Sequence, residues 1–299
     1  MMQRALFIVN PISGGKSKER IIALIGRLLD KSRFSYEVVR TERAGHALEL
    51  ARDADADLVV AIGGDGTVSE VARGLLLSKR PKTFGIIPCG SGDGLALHLG
   101  ISRHPEKAIE VLNGGVTARM DYGTVNGEPF FCTTGVGFDA DVASAFARSR
   151  HRGLLSYIST AFRLWTHFTP DTYTVTVDGK TVETLAAMVT VGNVNQWGNQ
   201  ARITPLASVQ DGMMDVTVVR PFHLWHVPRL ARLLMTGRAD KAREVIELRG
   251  KQVLVRRTRD GAAHRDGDPF PAGKTLSVDT VPAALEVVVP PQKKGHLDL

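Results

Sequence analysis

The sequence predicts a three-layer, parallel-sheet α/β domain followed by a mainly antiparallel β domain, and three observations carry that reading. Up to about residue 120, short β-prone apolar runs alternate with helical patterns. Three of the strand-to-helix junctions are rich in glycine. After "ARMDYGTVNG" the pattern turns to period-two alternation, interrupted by only two strong helical segments.

Taken in order, "ALFIVN" reads as the first strand and leads into "SKERIIALIGRLLDKS", where Ile21, Leu24, Ile25 and Leu28 recur at helical spacing. "SYEVVR" precedes the helical "AGHALELARDA", "DLVVAIGG" precedes "TVSEVARGLLL", and "FGIIPCG" precedes "GLALHLG". Such alternation implies a parallel sheet with helices on both faces, in which ligands bind beyond the carboxyl ends of the strands. The loops "NPISGGK", "GGDGT" and "CGSGDG" fall there. Further on, "YTVTVDGKTVE" alternates about an Asp178-Gly179 turn, and "AAMVTVGN", "MMDVTVVRP", "KQVLVRR" and "LEVVVP" read as more strands. The expected domains are 1–122 and 123–290, with a tail at 291–299.

The 299 residues, 43% hydrophobic and 23% charged, have the composition of a soluble globular protein. Asn10-Pro11 cuts off the apolar run Ala5–Val9 before it could serve as a signal-peptide core, and nothing approaches the roughly 18 apolar residues of a spanning helix. A cytoplasmic location is expected, at most peripheral at the inner face of the membrane. The net charge of +7 favours anionic partners. Arginine clusters at 148–152 and 256–259 read as solvated faces; no zinc-finger, RNP or basic-heptad pattern accompanies them, so nucleic acid is not expected. Cys89 and Cys132 lack metal-ligand spacing and read as buried thiols.

The glycine loops carry the chemistry. Gly15, Lys16 and Ser17 end the first like a phosphate-binding P-loop, but the glycine required five residues before Gly15 is Asn10. Three such loops at equivalent strand ends would gather backbone N–H groups and helix N-termini into one anion site. Asp65, set among those glycines, would repel a bare phosphate, which suits a carboxylate serving a Mg²⁺ shell or a reacting hydroxyl; it or Thr67 could equally cap the following helix. Asp266 and Asp268 flank a glycine, and a turn there would present both or be merely a hairpin; Asp211-Gly212 has the same two readings.

Asn10-Pro11-x-Ser13-Gly14, Gly63-Gly64-Asp65-Gly66-Thr67 with Glu70, and Pro88-x-Gly90-Ser91-Gly92-Asp93 together resemble the successive signatures of the diacylglycerol-kinase catalytic superfamily, which contains bacterial lipid kinases and sphingosine kinases. "GVGFDADV", "QDGMMDV", "RDGDPF" and "LEVVVP" follow in the family's order, so the likeness spans nearly the whole chain. It implies a Rossmann-like first domain, a β-sandwich second domain and a nucleotide site in the cleft between them. It further implies an ATP- and Mg²⁺-dependent lipid kinase that meets its lipid at a membrane surface; homodimerisation stays open. Asn10, Pro11, Ser13, Gly14, Thr41, Gly64, Asp65, Gly66, Thr67, Glu70 and Ser91 would form the ATP site. Asp266 would be the general base, with Asp268 where a glutamate is usual. Ser208, Asp211 and the Met213 carbonyl match a metal site, and Asp139 and Asp141 fall where sphingosine kinases contact the lipid head group. Asp93 and Gly94 replace the usual Asn-Asp of diacylglycerol-type loops, and "GSGDGLALHL" is similar to the sphingosine-kinase form. An NAD kinase shares the Gly-Gly-Asp-Gly loop and is the nearest rival, with a silent nucleotide- or lipid-binding regulator behind it. The dinucleotide pattern Gly135-x-Gly137-x-x-Ala140 lacks its downstream acid.

Overall fold

The computed structural model describes residues 2–14, 17–148 and 154–291, with the side chains of 154–158 outside the description. The chain divides into two units, residues up to Asp121 together with those from Ala283 on, and Tyr122–Pro282.

The first unit opens β1(Gln3–Val9), α1(Lys18–Leu28), β2(Phe34–Arg40), α2(His46–Asp53), β3(Leu58–Gly63), α3(Asp65–Leu76), β4(Thr83–Pro88), α4(Gly94–His98) and α5(Pro105–Gly114). Its strands pair in parallel in the order β2-β1-β3-β4. Phe7, Ile8, Val59, Val60 and Ile62 are all buried, as continuous apolar strands must be when helices cover both faces. Ser17 caps α1 by accepting from the Arg20 amide, and Pro105 starts α5, where its missing N–H costs nothing.

β5(Val116–Val125) leads into the second unit, which continues with β6(Glu128–Phe130), β7(Thr133–Gly137), α6(Phe138–Ala147), α7(Leu154–Trp165), β8(Asp171–Val177), β9(Lys180–Ala186), β10(Met188–Gly192), β11(Met214–Val219), α8(Val227–Met235), β12(Val245–Gly250), β13(Gln252–Arg257), β14(Gly261–Arg265), β15(Asp268–Ala272) and β16(Thr275–Val289). One antiparallel sheet runs β12-β11-β10-β7-β14-β15, and a second joins β16, β13, β8 and β9. Val136, Val189, Val191 and Val216 from the first pack with Val175, Val177, Val253 and Val255 from the second in one buried core, which makes the unit a β-sandwich. The β8–β9 hairpin turns at Asp178 and Gly179, both at positive φ, as expected of an Asp-Gly pair.

The second compact unit ends at Pro282, within the stretch expected as the second domain. The far half of β16 returns to the first unit, where Val287 pairs in parallel with Phe84 of β4. "LEVVVP" explains this: Leu285, Val287, Val288 and Val289 are all buried, the mark of a parallel strand covered on both faces rather than a half-exposed antiparallel one. Residues 292–299 of the expected tail, and Gly15, Lys16, Arg150 and Arg152, lie outside the described residues.

Candidate active site

In the first unit the three glycine loops meet. Asn10 Nδ2 donates to Thr67 Oγ1 at 2.9 Å, tying the loop after β1 to the start of α3. Within that first loop Asn10 Oδ1 accepts from the Ile12 amide and Ser13 Oγ donates to the Asn10 carbonyl, while Lys18 Nζ reaches the Ser13 carbonyl. Gly14 has φ +62°, and a Cβ there would sit 1.7 Å from the Cys89 carbonyl oxygen of the third loop. A Cβ on Gly64 would stand 3.1 Å from Gly90 Cα, so the second and third loops also touch backbone to backbone. The glycines are thus required by close approach as well as by φ. Thr41 stands beside this cluster, its amide donating to the Val9 carbonyl at the end of β1.

Asp65 does not cap its own helix; Gly64 holds that position without a side-chain bond. Its carboxylate instead crosses to the third loop, Oδ2 accepting from the Asp93 amide at 2.8 Å and Oδ1 from the Gly94 amide at 2.7 Å. Burial pushes the Asp65 carboxyl above its usual range, against the pull of those two amides. Glu70 behaves alike: its carboxylate accepts from the Gly45 and Ala47 amides at the start of α2. Gly66 is exposed and Thr67 buried, and Ser91 is exposed at the tip of the third loop.

The third loop is held by Asp93, which belongs to its motif, and by Arg103, which motif reading missed. Asp93 is buried in the left-handed conformation, φ +50°, and its Oδ1 accepts from the Gly90 amide. Arg103 then locks the loop from outside, Nε donating to Asp93 Oδ2 at 3.1 Å and Nη2 to the Ser91 and Gly92 carbonyls. Pulling those carbonyls toward one guanidinium orients both peptide units: the edge opposite the Ser91 carbonyl carries the Gly92 N–H, while the Asp93 N–H opposite the Gly92 carbonyl is the one taken by Asp65. No local signal marked Arg103, ten residues past Asp93.

In the second unit Asp266 and Gly267 form the β14–β15 turn, with φ +51° and +86°. The turn is a hairpin, and it also orients the carboxylate. Asp266 Oδ1 accepts from the Cys132 amide at 2.7 Å, and both oxygens face the Phe131 amide at 3.1 and 3.0 Å. Asp268 stands exposed at the start of β15.

The structure separates Asp139 from Asp141. Both lie in the first turn of α6, where residues two apart diverge by roughly 200°. Asp139 is buried, with Oδ2 accepting from Thr190 Oγ1 at 2.8 Å and 3.2 Å from His264 Nε2. Asp141 lines a cavity of about 410 Å³ shared with Leu164, Phe168, Asp171, Tyr173 and Arg259. Asp171 is buried there, and Thr258 donates to its Oδ1.

Of the proposed metal residues, Asp211 Oδ1 accepts from the Met213 amide at 2.9 Å, and Arg249 ion-pairs with its Oδ2. Ser208 Oγ accepts from the Gln210 amide. A divalent ion at Ser208, Asp211 and the Met213 carbonyl would have to share the Asp211 carboxylate with that guanidinium. Among the described residues no group of three or more His, Cys, Asp or Glu side chains is arranged to hold a metal ion.

Residues 4–125 match the diacylglycerol kinase catalytic domain family, and residues 132–289 match the YegS C-terminal NAD kinase beta sandwich-like domain. The chain is 29% identical over 308 residues to a diacylglycerol kinase of Bacillus subtilis, covering 99% of this chain and all (100%) of that protein. It is 30% identical over 300 residues to a diacylglycerol kinase of Mycobacterium tuberculosis, covering 95% of this chain and 94% of that one. A crystal structure of a diacylglycerol kinase from Bacillus anthracis superposes over 97% of both chains with a TM-score of 0.74 at 18% identity, a likeness of fold.

Proposed function

Since this chain belongs to the diacylglycerol-kinase catalytic family, a family of lipid kinases, we propose that it transfers the γ-phosphate of ATP to the hydroxyl of a lipid acceptor: diacylglycerol, a sphingoid base or a related long-chain alcohol. The observation that carries the reading is the meeting of three glycine loops at the ends of β1, β3 and β4, locked to each other by Gly14 against Cys89 and by Asp65 across to Asp93 and Gly94.

Phosphoryl transfer asks the protein to align two oxygens and to stabilise charge on the group between them. In this reading the amides of the first and third loops hold the ATP phosphates, and Asn10 and Thr67 keep those loops in register. Asp65 acts as a brace for the third loop, since both of its oxygens are engaged by amides. Mg²⁺ is read as arriving on the nucleotide, as MgATP, with its shell completed by phosphate oxygens and water. Asp266 accepts the proton of the acceptor hydroxyl, its orientation set by the Phe131 and Cys132 amides. Asp141 and the cavity beside it offer a place for the lipid head group, and the "GSGDG" loop favours a sphingoid-type acceptor. The acceptor is met at the cytoplasmic face of a membrane.

The direct test is incubation of the purified protein with γ-labelled ATP and a panel holding diacylglycerols, sphingoid bases, bulk extracted lipids and NAD. Label in a lipid supports the reading. Label in NAD alone, or tight ATP binding with no product from any acceptor by folded protein, sinks it.

Arg103→Ala tests the third loop. Hydrogen bonds to a charged group contribute about 1.5–3 kcal/mol each, so losing this lock is expected to raise the KM for ATP roughly ten- to a hundredfold. The melting temperature is expected to fall as well, because the Asp93 carboxylate that Arg103 meets is 1% exposed and loses its cation, so the KM is measured well below the temperature at which the variant unfolds. An unchanged KM would show that the arginine is only surface decoration.

A further inference from the structure

The segments 142–170 and 216–239 each carry four arginines and no aspartate or glutamate. The end of α7 and the start of the second segment meet: Trp165, ending α7, stacks on Phe222 with ring centroids 4.3 Å apart. Just past Phe222 a single turn, Leu224–His226, runs into α8, and no residue of that turn or of α8 is buried. Leu224, Val227 and Met235 are exposed there, Trp225 is 71% exposed, and Phe162 on α7 is 63% exposed. The protein leaves this much aromatic and aliphatic surface uncovered on two segments that touch, which marks an interaction face rather than scattered surface residues.

The face is held in place from below. Glu244 accepts from Arg229 Nη2 at 2.7 and 2.5 Å and lies 3.0 Å from His226 Nδ1, so the start of α8 is tethered. Among the described residues, Arg163, Arg232 and Arg238 have no carboxylate partner. Unpaired cations bordering exposed Trp, Phe and Leu are the composition of a helix lying in the plane of an anionic lipid interface. A second copy of the chain fits less well, because a two-fold contact through this face would set arginines against arginines.

We propose that the face formed by the end of α7, the Leu224–His226 turn and α8 docks on an anionic bilayer, with Trp225, Leu224 and Phe162 entering the head-group layer and the arginines meeting lipid phosphates. The proposal rests on the lipid-kinase reading for its purpose, though not for its test. The same helix α7 supplies Leu164, and the chain just after it Phe168, to the cavity that holds Asp141, so docking there would bring that cavity to the membrane surface.

Sedimentation of the full chain with vesicles tests it, using phosphatidylcholine alone or mixed with about one third phosphatidylglycerol. Binding is expected only to the anionic vesicles and should weaken as salt rises. The double variant Leu224→Ser, Trp225→Ser, and separately Arg163→Gln, Arg232→Gln, should each lose roughly tenfold or more in vesicle partition while their thermal unfolding and their phosphorylation of a short-chain, water-soluble lipid stay unchanged. Unaltered vesicle binding by both variants, or no binding by the parent chain, overturns the proposal. So does a parent dimer in sedimentation that the Leu224, Trp225 variant splits, which would assign the face to a second copy. Vesicle binding without phosphorylation of any lipid would remove the proposed function and leave the docking face standing.

Discussion

Asp266→Asn is expected to bind ATP as the unaltered chain does and to transfer phosphate about 10²- to 10⁴-fold more slowly, the contribution usual for a positioned base. Asparagine is the informative substitution because the backbone here is left-handed, φ +51°, a conformation that asparagine and aspartate tolerate and alanine does not. An amide oxygen can still accept from the Cys132 amide, but the NH₂ end replaces the oxygen that faces the Phe131 N–H at 3.0 Å and cannot take a proton, so the turn is expected to lose about 1–3 kcal/mol and thermal unfolding must accompany the assay. Single-turnover transfer alongside ATP titration separates the two effects. Full transfer by Asp266→Asn would remove the carboxylate from the chemistry and leave it a hairpin residue, the plainer of the two readings its Asp-Gly sequence allows. Asp268→Asn, at an exposed position, is the control and should lose less.

The contrast between the two units explains what the sequence could and could not say. Strands such as Leu58–Gly63 announce themselves because burial on both faces demands an unbroken apolar run, and helices such as Lys18–Leu28 because one buried stripe imposes a helical period. Phe138–Ala147 had no such signal: Phe138, Ala140, Val142, Ala143, Ala145 and Phe146 leave no polar face from which a period can be read. The resemblance named Asp139 and Asp141 together because both fall in one segment, whereas the helix turns one inward to His264 and Thr190 and the other toward the cavity. The glycine loops were legible one at a time from local spacing, yet the contacts that make them one site are long-range. Arg103 on the Ser91 and Gly92 carbonyls, Asp65 on the Asp93 and Gly94 amides, and Glu70 on the Gly45 and Ala47 amides are set by tertiary approach. Asp65 and Glu70, expected at the nucleotide site, each turn the carboxylate to backbone amides of a neighbouring loop, contacts that no spacing in the sequence signals.

Gly14→Val is expected to abolish measurable ATP binding while leaving the β-sandwich unit folded. Two independent costs meet at this residue. A β-branched side chain at φ +62° is strained by about 1–3 kcal/mol. Its Cβ would also lie 1.7 Å from the Cys89 carbonyl oxygen, a backbone atom at the end of β4 that cannot rotate away as a side chain can. The first loop must therefore lift off the third, breaking the arrangement on which the phosphate reading depends. Gly64→Ala supplies a graded comparison, since its Cβ would meet Gly90 Cα at 3.1 Å, tight but open to a small shift, and a partial loss of affinity is expected there. Lys16, outside the described residues, is the residue on which the two readings of this loop differ, since in a true P-loop the lysine grips the phosphates. With Asn10 in place of the first glycine, the affinity is assigned to backbone amides, and Lys16→Ala should keep most of it. ATP titration of the three variants, with thermal unfolding as the check on folding, decides the matter. Loss of binding in Lys16→Ala together with normal binding in Gly14→Val would return the loop to the Walker reading and undo the amide-cradle account of the site.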